Sequence, residues 1–189
     1  EISHQFSFID KLQTVLKKEN IKYLGFEEDF VTYSEFENLS TKFSKHIQLS
    51  PQSGLVEQLR IIKDDHEIEN LKKAAALTDK TFEYILPYIK PGVTEYELAS
   101  KMEYFMKRSG GGIAFDSIVA FGINSAIPHH KTSEKKLEKN DSVILLDFGA
   151  SWNSYCADMT RTVFLGKANP TLNKMYEITL EAQRKALDY

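Results

Sequence analysis

Apolar positions recur at helical spacing through Phe8, Ile9, Leu12, Val15 and Leu16, and Asn20 is a suitable stop for that helix. Residues 22–26 then read as a short strand. Thr32 with Glu35 three positions on forms a capping box, and Tyr33, Phe36, Leu39 and Phe43 supply one apolar helical face. Residues 47–49 make a second short strand. The α-β-α-β order predicts a crossover unit whose parallel strands need cover on both faces. Two short strands cannot make a complete doubly covered sheet. Residues 1–53, up to the turn-rich Ser50-Pro51-Gln52-Ser53-Gly54, are therefore expected to be the end of a domain, and residues 54–189 a second one.

Asp64 and Glu67 form another capping box. Ile68, Leu71, Ala75, Phe82, Ile85, Leu86 and Ile89 then predict one long helix, ended by Pro91-Gly92. Thr94 and Glu97 open the next, with Leu98, Met102, Phe105 and Met106 on its buried face, and Gly110-Gly111-Gly112 stops it. From Phe115 the period changes to two. Strands are expected over 115–121, 143–150 and 155–165, and a helix over 172–189 with no closing cap. A periodic segment that ends this way suggests a natural chain that continues. The class is α+β, an α/β remnant followed by a domain built on antiparallel sheet.

Composition narrows the function more than the fold. Of 189 residues, 42% are hydrophobic and 27% charged, and the net charge of -3 offers no basic field for nucleic acid or anionic lipid. The Lys131–Lys139 run also carries Glu134 and Glu138, so it reads as a solvated loop. The longest aliphatic run, residues 143–146, is far too short to span a bilayer. Cys156 is the only cysteine and the N-terminus has no signal-peptide pattern, which suits a cytoplasmic protein.

Two aspartates hold the strongest chemistry. Strands 143–150 and 155–165 are joined by Ser151-Trp152-Asn153-Ser154, a hairpin length. A turn centred between Trp152 and Asn153 would set Asp147 directly opposite Asp158. Like charges so placed are destabilising unless compensated. Asp147 follows four aliphatic residues, so its strand is expected to be buried on both faces. Such a pair must share a proton, find a cationic partner or bind a metal. Arg161 falls on the opposite face from Cys156, Asp158, Thr160 and Thr162, poorly placed to neutralise Asp158. A metal ion therefore competes with a solvated or singly protonated pair.

Pro128-His129-His130 lies in the roughly twenty-residue loop between Phe121 and Val143, a length that is usually functional or disordered. Histidine is the side chain best suited to proton exchange near neutral pH. His4, His46 and His66 sit near element ends and receive no role.

Leu146-Asp147-Phe148-Gly149-Ala150, followed by Tyr155-Cys156-Ala157-Asp158-Met159-Thr160-Arg161-Thr162, resembles the paired-aspartate signature of the Xaa-Pro dipeptidase and aminopeptidase P family, the pita-bread metallopeptidases. Residues 115–120, Asn124 to His129, Gly54-Leu55-Val56, the 64–90 helix and Lys90-Pro91-Gly92-Val93-Thr94 extend the resemblance over nearly the whole chain. It implies hydrolysis of the Xaa-Pro bond of dipeptides or peptide N-termini by a water activated between two divalent metals, manganese foremost and cobalt or zinc as alternatives. Asp147 and Asp158 would be ligands, Asp158 bridging. His129 would contact the substrate and steady the tetrahedral intermediate, and Thr160 would support the ligands from behind. The family position of His130 varies, so it carries no role. A homodimer is implied for the complete enzyme.

The same resemblance implies that residues 1–53 are the C-terminal part of a creatinase-like N-terminal domain, and 54–189 the N-terminal half of the pita-bread domain. The family completes its site with a histidine and two glutamates beyond the second aspartate strand. Glu177 and Glu181, the glutamates available here, match neither motif. The chain by itself is therefore expected to be an inactive internal fragment. Two other readings are a non-catalytic pita-bread module that binds peptides or proteins, and another hydrolase such as creatinase. The upstream α-β-α-β segment argues against a simple methionine aminopeptidase.

Overall fold

The computed structural model describes residues 8–43, 45–139 and 143–189, and His4 lies outside them. The chain divides into two compact units, Glu1–Lys63 and Asp64–Tyr189. In the first, α1 (Phe8–Lys18), β1 (Tyr23–Glu27), α2 (Tyr33–Phe43) and β2 (Gln48–Gln52) follow the expected crossover order, and β1 pairs parallel with β2. Asn20 ends α1 in the left-handed conformation, with φ 51°. The Thr32–Glu35 box is closed in both directions, by 2.9 Å from the Thr32 N–H and 3.3 Å from the Glu35 N–H. Leu16, Leu39 and Phe43 form the small buried cluster between helices and strands. A short helix, α3 (Leu55–Ile61), follows Gly54 and was not expected from the sequence.

In the second unit α4 (Asp65–Ile85) and α5 (Glu95–Arg108) both start at complete capping boxes, on Asp64 and Thr94. The helix expected to run to Pro91 stops at Ile85 and tightens into a 3-10 turn over Leu86–Tyr88. Pro87 is the cause, since it has no N–H to donate and its ring crowds the preceding turn. The buried face of α4 also differs from the expected one. Ala74, Leu77 and Ile85 share it with Asn70, Thr78 and Thr81, while Ile68 is exposed.

The strands expected over 143–150 and 155–165 are each broken in two, and the one expected over 115–121 shortens to 118–121. β3 (Gly112–Ile113), β6 (Ala150–Trp152) and β7 (Tyr155–Cys156) make one antiparallel sheet. β4 (Ile118–Phe121), β5 (Val143–Phe148) and β8 (Met159–Phe164) make another, with β5 central. The chain changes sheet at Gly149, where the backbone of Ala157 passes so close that a Cβ would run into its carbonyl. β5 is not buried on both faces. Ile144, Leu146 and Phe148 are fully buried against α4 and α5, whereas Val143, Leu145 and Asp147 line a half-exposed face. Each fully buried side chain of this kind contributes about 1.5–3 kcal/mol, so the buried face fixes the strand's orientation. The architecture is α+β, and α6 (Pro170–Asp188), capped at its start by Asn169, closes the described chain.

Candidate metal centre

The hairpin that sets the two aspartates turns one residue later than the sequence suggested. Asn153 and Ser154 both have positive φ, 48° and 69°, and Trp152 pairs with Tyr155. A two-residue hairpin turn matched to strand twist needs positive φ at both central residues, a conformation that Asn takes readily and Trp does not. The register follows through the whole ladder. Asp147 faces Thr160, not Asp158, and Phe148 faces Met159. The Ala157 N–H donates to the Ala150 carbonyl at 2.9 Å, which sets Asp158 beside Gly149. Asp158 lies just before β8, two residues from Thr160, so it stands diagonal to Asp147, a relation of about 7–8 Å were the ladder regular there.

The surroundings of the pair differ on its two sides. Asp147 is half-buried and accepts a hydrogen bond from the Thr160 hydroxyl at 3.0 Å. Asp158 is exposed. Arg161 points away from both, donating to the Thr160 carbonyl at 2.9 Å and lying 6.0 Å from the Phe82 ring centre. Among the described residues no group of three or more His, Cys, Asp or Glu converges to hold an ion.

The histidine loop lies on the outer edge of the same sheet. A 3-10 turn over Gly122–Ala126 leaves β4, and Ile127 to His130 form a tight turn closed by the His130 N–H on the Ile127 carbonyl at 3.2 Å. Pro128 and His129 are its central residues, and His129 has φ 54°, the arrangement of a type II turn. His129 is exposed at the tip. The chain then returns along β4. Thr132 accepts from the Val119 N–H and donates to the Ser117 carbonyl, both at 3.0 Å. That places the returning loop level with Ile118, the cross-strand partner of Asp147.

The loop is not merely solvated. Leu137 is in the core, and Lys135 donates to the Phe121 carbonyl at 2.8 Å. The two histidines also part company. His130 turns inward, 11% exposed, with Nε2 2.9 Å from Oε2 of Glu95, whose side chain is fully buried. Burial alone would push the Glu95 carboxyl up. Hydrogen bonds from Ser133, His130, Asn124 and the Phe121 N–H outweigh that and hold it below the ordinary value. Sequence reasoning passed over Glu95, because a glutamate in the first turn of a capped helix is ordinary. Of the remaining acids considered, Glu177 accepts from Asn173 and Glu181 pairs with Lys185 on α6, as helix-surface residues do.

Comparison with known proteins bears on both units. Residues 69–189 match the metallopeptidase family M24, and residues 4–62 match the creatinase/prolidase N-terminal domain. An Xaa-Pro dipeptidase of Pyrococcus furiosus is 38% identical over 185 residues, covering 97% of this chain and 52% of that protein. The solved Xaa-Pro dipeptidase from Bacillus anthracis is 43% identical with a TM-score of 0.88, covering 96% of this chain and 51% of the other. The X-Pro aminopeptidase from Thermotoga maritima is 38% identical with a TM-score of 0.90, covering 98% and 53%. The chain spans about half the length of the relatives it matches. With a family match that covers most of the second unit and more than half of the chain, this chain belongs to the M24 family of metallopeptidases.

Proposed function

We propose that this chain supplies two metal ligands and a substrate-contacting histidine to a peptidase that hydrolyses Xaa-Pro bonds of dipeptides or peptide N-termini. The observation that carries the reading is the register, which pairs Asp147 with Thr160 and brings Asp158, the residue before β8, to the end of the same ladder. The names of the relatives support the substrate class.

The donors fit the expected ions in type. Carboxylate oxygens suit manganese, and cobalt or zinc also accept them. They do not fit in number, since two octahedral ions need many more donors than two aspartates offer. The remaining ligands are assigned to parts of the complete protein outside this chain, consistent with its covering half of each relative. When bound, the metals would activate a water and polarise the scissile carbonyl. Asp147 and Asp158 would hold the ions, and the Thr160 hydroxyl would fix the carboxylate rotamer of Asp147. His129, exposed at its turn, would donate a ring N–H to the carbonyl oxygen as it becomes an oxyanion.

The test uses the complete protein with added manganese and Gly-Pro as substrate. Turnover should be lost with Asp158→Asn and should fall at least about tenfold with His129→Ala, in line with loss of a transition-state contact. A complete protein that binds proline-containing peptides but never cleaves them would overturn the reading in favour of a binding module.

A further inference from the structure

Glu95 stands at the first position of α5 with its side chain fully buried. Its two oxygens accept five hydrogen bonds. Oε1 takes the Phe121 N–H and the Asn124 amide, both at 2.9 Å. Oε2 takes the Ser133 N–H at 3.0 Å and the Ser133 hydroxyl at 2.6 Å, and lies 2.9 Å from His130 Nε2. All five partners belong to residues 121–133, the segment that leaves β4, turns at His129 and returns. None comes from α4, β5 or β8. The carboxylate therefore clamps both feet of one loop rather than satisfying the core at large.

The loop needs such a clamp. His129 sits in the left-handed conformation, which is unfavourable for a residue with a Cβ and persists only where its surroundings impose it. The turn's own bond, His130 N–H to Ile127, is long at 3.2 Å. His130 anchors the turn from one side, with its ring on Glu95, while Asn124 and Ser133 anchor the strands of the loop.

We propose that Glu95 is the positioning residue of the His129 loop, holding His129 at its turn through the donors of residues 121–133, and that His130 is a strut for Glu95. This rests on the reading of His129 as the substrate contact. A carboxylate is required, not merely a polar group. Each oxygen faces a backbone N–H, Phe121 on one and Ser133 on the other. A backbone N–H cannot become an acceptor, so whichever way a glutamine is turned, its NH2 meets one of them.

The experiment is a double-mutant cycle in the complete protein, with manganese and Gly-Pro. Glu95→Gln should lower kcat by about tenfold or more while KM changes less, as expected when a transition-state contact is misplaced. In a His129→Ala background the same substitution should cost less than about twofold, because the group it positions is gone. Equal losses in both backgrounds, or no loss in either, overturn the proposal. If Glu95→Gln does not fold, Ser133→Ala and Asn124→Ala each remove part of the clamp, and the same non-additivity with His129→Ala is required. If the wild-type protein does not cleave Gly-Pro, the peptidase reading has failed and histidine ring spectra decide the clamp. Ser133→Ala must then shift the signals of His129 and His130 and leave His46 and His66 in place; an unmoved His129 signal overturns it.

Discussion

Gly149→Ala probes the crossing that sets the two aspartates relative to each other. An added Cβ would collide with the Ala157 carbonyl oxygen, lie 2.9 Å from its carbon and 3.1 Å from Cε1 of Phe115. The first two are backbone atoms and cannot rotate away. Relief requires β5 and the segment before β8 to separate, which strains the 2.9 Å bond from Ala157 to Ala150 and, beyond it, the 2.9 Å bond from the Ala150 N–H to Thr78. Overpacking of this kind costs about 1–3 kcal/mol, and a rigid obstacle belongs at the upper end. For a protein of this size that is roughly 5–10 °C in Tm. Separation also moves Asp158 away from Asp147, so manganese affinity should fall with stability. Gly92→Ala is the control. Its φ is 95° and nothing lies within 4 Å of the added Cβ, so the cost is conformational strain of about 1 kcal/mol with no effect on metal. Thermal unfolding of the chain reads the stability, and manganese binding to the complete protein reads the affinity. A Gly149→Ala protein no less stable than Gly92→Ala, or with undiminished manganese affinity, would refute the reasoning.

Three further outcomes follow from particular contacts. Thr78→Val keeps the shape of a buried residue but strands the Ala150 N–H, and should cost about 1–3 kcal/mol in denaturant unfolding, while Thr78→Ser should cost less. Glu95, with its carboxyl held below the ordinary value of 4.5, contributes stability that is complete above that value and is lost as pH falls through the lower folded one. The stability gap between wild type and Glu95→Gln should therefore narrow as pH falls through the acid range below that ordinary value; a gap that widens in acid would contradict the sign. His130→Ala should lower stability more than His129→Ala does, since only His130 is buried on Glu95, and unfolding midpoints of the two variants decide it.

What the sequence made legible was what short-range chemistry controls. Thr32–Glu35, Asp64–Glu67 and Thr94–Glu97 each placed a helix start, because a capping box is decided within four residues. The crossover in the first unit and the α+β class followed from order and period alone. The long α4 was over-extended because apolar spacing outweighed Pro87. Its buried face was misread because Asn70, Thr78 and Thr81 are polar, and their place in the interior depends on hydrogen bonds. Thr78 and Asn70 bond Ala150 and Asn153 on the hairpin, while Thr81 bonds the Leu77 carbonyl. The hairpin register is carried by its turn residues. Trp152 is a poor residue for positive φ, and shifting the turn to Asn153-Ser154 moves Asp158 from direct to diagonal opposition. Glu95 was not legible at all. Its partners lie 26 to 38 residues away in sequence, and only the returning loop brings them to one carboxylate.

The most direct test of the central claim is the number of manganese ions bound by the complete protein at equilibrium, with wild type beside Asp147→Asn and Asp158→Asn. The account predicts about two ions per chain for wild type, as a paired-metal site requires. Each aspartate substitution should remove at least one of them while the fold, followed by circular dichroism, is kept. Two ions bound with unchanged affinity in either variant would contradict it, because the metal would then lie somewhere other than across the strands that carry Asp147 and Asp158.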